Sequence, residues 1–286
     1  MLTYPHINPI IFSIGPLKLR WYGLMYVLGF IATYLLVLLQ IKKFRWQALA
    51  EEVDNLNLIL ILGVILGGRL GYVLFYNLPF YLHHPLEILA TWDGGMSFHG
   101  GCLGVLIGGF LFCRRHQLDF WKTADLYVVT VPIGLGLGRI GNFINGELFG
   151  RVTSVPWGMV FPGGGPLPRH PSQLYEALLE GVLLFTVLWS LKHKPWQAKP
   201  SRLWPHGSML ALFILLYGIL RFVVEFFRQP DPQLGEIFLG LTMGQALSMV
   251  MIAGGLLLWF WRCRQPRAAG TNNPAPEKIK KSGVKE

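Results

Sequence analysis

Apolar residues gather along the chain in seven runs, at about 21–40, 57–77, 96–113, 126–145, 173–191, 208–227 and 240–261. Each approaches the roughly 20 residues that a helix needs to cross about 30 Å of hydrocarbon. Lipid cannot hydrogen-bond a backbone, so such runs must be helices unless they line a polar cavity. Aromatic residues such as Trp21, Tyr22, Trp189 and Trp261 stand near the run ends, as in interfacial belts. Alternating ten-residue segments, the mark of a membrane barrel, are absent. The pattern predicts an all-α polytopic membrane protein with seven transmembrane helices.

Composition agrees. Of 286 residues 52% are hydrophobic and only 14% charged, against about a quarter charged in a soluble domain. The net charge of +10 would raise the question of nucleic acid, but the charges are arranged by membrane side. Alternate inter-run segments and the C-terminus carry 17 Lys and Arg, whereas the N-terminus and the remaining segments carry 5. By the positive-inside rule the N-terminus is outside and the C-terminus cytoplasmic. The basic excess then meets anionic headgroups rather than nucleic acid. Cys102, Cys113 and Cys263 form neither a CxxC pair nor a disulfide framework, and no metal site is expected. The first run lacks a basic leader and a small-residue cleavage site, so it reads as a retained span. Residues 1–264 form one seven-helix catalytic domain in this reading. Residues 265–286, rich in Pro, Ala, Asn and Lys, form a disordered basic cytoplasmic tail.

Several runs hold more than a lipid-facing helix requires. Gly63, Gly67 and Gly71, then Gly100, Gly104 and Gly108, then Gly134 and Gly138 form small-xxx-small faces suited to close helix packing. Three arginines, Arg69, Arg139 and Arg221, lie within or at the ends of spans. Each costs on the order of 2.5–3.5 kcal/mol at the bilayer centre and must snorkel, pair or serve a site. Arg221 precedes Glu225 by one helical turn, which is the spacing of an ion pair. Arg69 is open to a structural or a functional reading. Arg139 sits in Gly138-Arg139-Ile140-Gly141-Asn142-Phe143-Ile144-Asn145-Gly146-Glu147-Leu148-Phe149-Gly150, where arginine, two asparagines and a carboxylate crowd the outer end of the fourth run. His99, in Met96-Ser97-Phe98-His99-Gly100-Gly101, is the one histidine placed at a helix mouth, with an ordinary pKa suited to proton transfer. Trp92-Asp93, the Arg169–Glu176 stretch and Glu225–Asp231 fall on the same outer side. A solvated loop end explains any one such cluster; four on one face of the bilayer point to a site.

Together these motifs resemble the bacterial prolipoprotein diacylglyceryl transferases, from Phe12-Ser13-Ile14-Gly15-Pro16 to the seventh run. The most specific piece is Gly138–Gly150, which fits G-R-x-G-N-F-x-N-x-E-x-x-G throughout. Trp21–Tyr26, Met96–Gly101, His170–Glu176 and Glu225–Asp231 also look like family motifs. The resemblance implies transfer of the sn-1,2-diacylglyceryl group of phosphatidylglycerol to the lipobox cysteine thiol of a prolipoprotein. A thioether forms and glycerol phosphate leaves, as the first step of lipoprotein maturation. It implies a multi-pass protein of the bacterial plasma (inner) membrane, among membrane lipids, with its active site toward the outer face. It also implies functional roles for Tyr22, His99, Arg139, Asn142, Gly150 and Arg228.

A thiol with a free pKa near 8.5 needs a base or a positive field to attack, and a departing phosphate needs fixed cations. Arg139 is assigned to the phosphate with Arg228 as a second clamp, because guanidinium offers a planar fork. His99 is the first choice of base and Glu147 the second. Tyr22, Asn142, Asn145 and Gly150 complete the expected catalytic and binding set. No GxSxG elbow is present, so direct displacement without a covalent enzyme intermediate is expected, with no cofactor. A transporter and a seven-span receptor are the rival classes. Modification of a lipobox peptide separates both from an enzyme.

Overall fold

The computed structural model describes residues 2–5, 7–15, 17–91, 94–197, 201–229, 236–238 and 241–265. Trp92, Asp93, Pro230, Asp231 and residues 266–286, on which some expectations fell, lie outside them. The chain enters through a β-hairpin, β1 (Ile10–Ile14) and β2 (Leu17–Arg20), paired antiparallel. Gly15 turns it with φ +58°, a conformation that glycine adopts without steric cost. Eight helices of nine residues or more follow among the described residues: α1 (Trp21–Phe44), α2 (Val53–Phe75), α3 (Phe98–Arg115), α4 (Phe120–Val128), α5 (Val131–Asn145), α6 (Ser172–Trp196), α7 (Ser208–Val224) and α8 (Met243–Arg264). A second hairpin, β3 (Glu236–Phe238) with β4 (Leu241–Thr242), stands before α8. The all-α expectation is corrected to this extent. Its cause is local: Ile10–Arg20 is too short to span and has a turn glycine between two extended arms.

The apolar runs are helical, but they do not all span by the same measure. Four helices, α1, α2, α6 and α8, are long and apolar enough to cross a membrane, and the bent pair α4–α5 makes up to five. A 40° bend separates α4 from α5, where Pro132 opens the second helix. Proline is tolerated at that first turn because its missing N–H had no helical partner. Helix α7 is apolar but only 17 residues long. In α3 five glycines, His99 and the closing Arg114 and Arg115 dilute the apolar sequence.

Glycine decides one contact between helices. A Cβ on Gly71 would lie 2.8 Å from Gly100 Cα, and one on Gly104 would lie 3.0 Å from Gly67 Cα. Only a backbone without side chains permits α2 and α3 to meet so closely. Buried Val37, Ile41, Leu49, Val53, Leu56, Phe112 and Leu126 fill the junction of α1 to α4. Val128, Val129, Leu184, Leu188 and Met209 fill that of α4, α6 and α7. Helix α7 is anchored at its start by a side chain remote in sequence. Asp125 of α4 accepts the N–H groups of Gly207, Met209 and Leu210 at 2.7, 3.0 and 3.1 Å, which satisfies donors left open at a helix N-terminus.

Candidate active site

Arg139 lies in the last two turns of α5, with its side chain 20% exposed. Its Nε stands 2.7 Å from Glu176 Oε2 and its Nη2 3.9 Å from Glu180 Oε2, both carboxylates being fully buried on α6. Its remaining nitrogen, Nη1, donates to Asn142 Oδ1 at 3.5 Å. Asn142 in turn donates to Glu147 Oε1 at 2.9 Å, and Asn145 donates to the same oxygen at 3.0 Å. Gly146, at φ +68°, caps α5 in the left-handed conformation and turns Glu147 back over the helix end. Leu148 is held at φ +56°, which is uncommon for a residue with a side chain. Two donors from the start of α6 hold that turn: Gln173 Nε2 to the Glu147 carbonyl at 2.6 Å and Ser172 Oγ to the Leu148 carbonyl at 3.1 Å.

The structure brings in a second arginine. Arg221 Nη1 lies 2.9 Å from Glu176 Oε2 and 3.5 Å from Glu180 Oε1, and its Nη2 lies 3.1 Å from Glu225 Oε2. The i,i+4 pair with Glu225 was legible in the sequence; the carboxylates of α6 were not. Thr242 Oγ1 donates to Glu225 at 3.1 Å while capping α8. A Cβ on Gly244 would fall 2.6 Å from the Glu225 carboxylate, so this glycine makes the room. Two guanidiniums and three carboxylates thus meet between α5, α6 and α7. Buried charges persist only when paired in this way.

Other expected residues take different places. Tyr22 packs on Gly141, whose Cβ would meet its ring at 2.9 Å, and its hydroxyl lies 3.0 Å from that of Tyr26. It stands within electrostatic reach of Arg139 and Glu147. Arg228 feels Arg221, Glu176, Arg139 and Glu225. Its backbone pairs with Gly150, whose N–H donates to the His170 carbonyl at 2.8 Å. A Cβ on Gly150 would lie 2.7 Å from His170 Cβ, so close approach explains this glycine. His170, whose Nδ1 lies 3.1 Å from Tyr175 Oη, is held below the ordinary histidine pKa by burial. Arg169 pairs with Gln229 and lies over the Phe149 ring, tying the loop to the end of α7.

His99 is not drawn into this cluster by any contact among the described residues. It is exposed near the start of α3, beside Ser97, which accepts the Gly100 N–H at 3.2 Å, and its ring meets Phe98 edge-on. Arg69 is held by backbone carbonyls. Its guanidinium donates to the carbonyls of Ile88, Gly94, Gly95, Glu87 and Ala90 at 2.8, 2.6, 3.2, 2.6 and 3.0 Å. All three nitrogens are thereby used, and the segment leading to His99 is fastened to α2. Glu180 is the cluster residue that sequence reasoning passed over. Its signal was a carboxylate inside an apolar run, which is costly unless it serves a purpose.

Around Arg139 a guanidinium, two asparagines and a carboxylate thus meet at the C-terminal end of α5. The family described as Prolipoprotein diacylglyceryl transferase matches residues 9–261. A relative in Desulfotalea psychrophila, named phosphatidylglycerol–prolipoprotein diacylglyceryl transferase, is 63% identical over 267 residues, covering 93% of this chain and 97% of the relative. One of the same name in Pseudomonas paraeruginosa is 53% identical over 274 residues, covering 94% and 100%. Another, in Francisella tularensis subsp. novicida, is 53% identical over 260 residues, covering 90% and 94%. With arginine, asparagine and glutamate of the Gly138–Gly150 motif joined in one hydrogen-bonded cluster, and with similarity over nearly its whole length, this chain belongs to the prolipoprotein diacylglyceryl transferase family.

Proposed function

We propose that the Arg139 cluster carries the reaction of that family: transfer of the sn-1,2-diacylglyceryl group of phosphatidylglycerol to the lipobox cysteine of a prolipoprotein. The observation that supports it is the orientation of Arg139. Its Nε and Nη2 edge is turned to Glu176 and Glu180, and Nη1 is turned to Asn142 and the open helix end. Phosphate oxygens meet that remaining edge. The sulfur, as thiolate, attacks the glycerol carbon that bears phosphate. The C–S bond forms, the C–O bond breaks, and its electron pair leaves on the phosphate oxygen of glycerol phosphate. Arg139 stabilises the added charge, with Arg221 and Arg228 contributing to the positive field. Asn142 and Asn145 hold Glu147, and Tyr22 closes the side formed by α1. The thiol proton goes to His99 or Glu147.

Seven spans, an outer N-terminus and a cytoplasmic C-terminus belong to the same proposal. It rests on seven helical runs and the 17-to-5 charge asymmetry. The cluster then faces the outer side of the inner membrane.

Purified chain, incubated with headgroup-labelled phosphatidylglycerol and a lipobox peptide, should add the whole diacylglyceryl mass to the peptide and release labelled glycerol phosphate. The adduct should survive neutral hydroxylamine, since it is a thioether. An unmodified peptide, or a thioester cleaved to a single fatty hydroxamate, would overturn the reading.

A further inference from the structure

Glu176 meets Arg139 and Arg221 through one oxygen, Oε2, at 2.7 and 2.9 Å. At Arg139 the Nε contact is joined by a hydrogen bond at 3.5 Å from Nη1 to Asn142, a long one that holds the plane of the guanidinium weakly. A contact at Nη2 adds a third point. Glu180 supplies it, with Oε2 3.9 Å from Arg139 Nη2 and Oε1 3.5 Å from Arg221 Nη1. Each oxygen of Glu180 therefore faces one arginine. A buried ion pair is weak evidence for stability, because apolar replacement of the whole pair is often neutral or stabilising. The helix is shaped to present Glu180. Residues Ala177–Leu183 form a π-helical stretch, a feature frequently found at functional sites. Next to Glu180, Gly181 touches the backbone of α5: a Cβ there would lie 2.8 Å from Gly136 Cα, about one turn before Arg139.

We infer that Glu180 is a positioning residue: with Glu176 it locks the plane of the Arg139 guanidinium so that the opposite edge meets the leaving phosphate. This rests on the reading that Arg139 binds that phosphate. Glu180 touches neither substrate. It acts through the angle at which Arg139 meets charge that develops during bond breaking, so its loss falls on turnover more than on lipid binding.

The test compares Glu180→Gln, Glu180→Asp and Arg139→Lys in detergent-purified full-length protein, with phosphatidylglycerol, a lipobox peptide and thermal melting of each preparation. Glu180→Gln keeps the shape but removes the charge. It should lower kcat by about ten- to a hundredfold, the scale on which small misplacements act, while the KM for phosphatidylglycerol changes by less than about threefold. Glu180→Asp should recover part of that loss. Unchanged kcat in folded Glu180→Gln, with Arg139→Lys inactive, would overturn the role of Glu180 and leave Arg139 in place. An active Arg139→Lys would overturn both. Should Glu180→Gln fail to fold, Glu180→Asp decides: wild-type kcat there sinks the inference, and a kcat loss at steady KM supports it.

Discussion

The reaction proposed above leaves two candidates for the thiol proton. Glu147 is joined through Asn142 to Arg139, whereas His99 stands exposed on another helix. If His99 is the base, His99→Asn should nearly abolish turnover, and a peptide with a more acidic thiol should partly restore it. Glu147→Gln should then act through substrate positioning and show no such rescue. The reverse pattern would assign the proton to Glu147. Arg69 answers differently, because its donors are spent on five carbonyls. Arg69→Lys keeps the charge but not the fork. It should destabilise the protein by about 1.5–3 kcal/mol, the scale of hydrogen bonds to a charged group, and speed proteolysis between 84 and 95. An unchanged melting temperature with lost turnover would instead put Arg69 in the site.

At the scale of elements, contacts made by glycine and by aspartate carry opposite lessons. The glycines spaced by four in the second and third runs advertised a close-packed seam, and α2 and α3 meet there. Gly104→Ala should destabilise by about 1–3 kcal/mol through overpacking, because the neighbouring atoms are backbone. Gly254→Ala, open on all sides within 4 Å, should not. Of Gly134 and Gly138, the first lies at a close contact with α1, where a Cβ on Gly29 would be 3.1 Å from its Cα, whereas Gly138 has open space around it. Nothing in the sequence tied Asp125 to the start of α7, 82 residues on at Gly207. Asp125→Asn leaves an N–H underserved and removes a charge favourable to a helix N-terminus. A loss of about 1–3 kcal/mol should appear in chemical or thermal unfolding; an unaltered transition would mean that water replaces the carboxylate.

For the whole molecule, charge and length set different limits. The sequence announces a membrane protein, yet only four or five helical units are long and apolar enough by themselves. Helices such as α3 and α7 must then be accommodated by their neighbours, α2 and α8. In a cysteine-free background, single cysteines at Lys194 and in the tail should resist impermeant thiol reagents in intact cells, while one at His83 reacts. Labelling of Lys194→Cys in intact cells would reverse the orientation argued from the 17-to-5 distribution.

The sequence by itself determined what periodicity and local chemistry encode. These are the apolar runs, the glycine seam, the Arg221–Glu225 pair and the Gly138–Gly150 motif with its capping glycine. Each is written within a few turns of helix. Only the tertiary structure decided that Arg139 and Arg221 share Glu176, 45 residues before Arg221, that Glu180 faces both, and that Arg69 clamps a loop while His99 stays apart. The physical reason is that an amphipathic pattern states which face must be covered but not by which helix. A buried arginine demands acceptors without naming them, and for Arg139 and Arg221 packing between α5, α6 and α7 makes that choice.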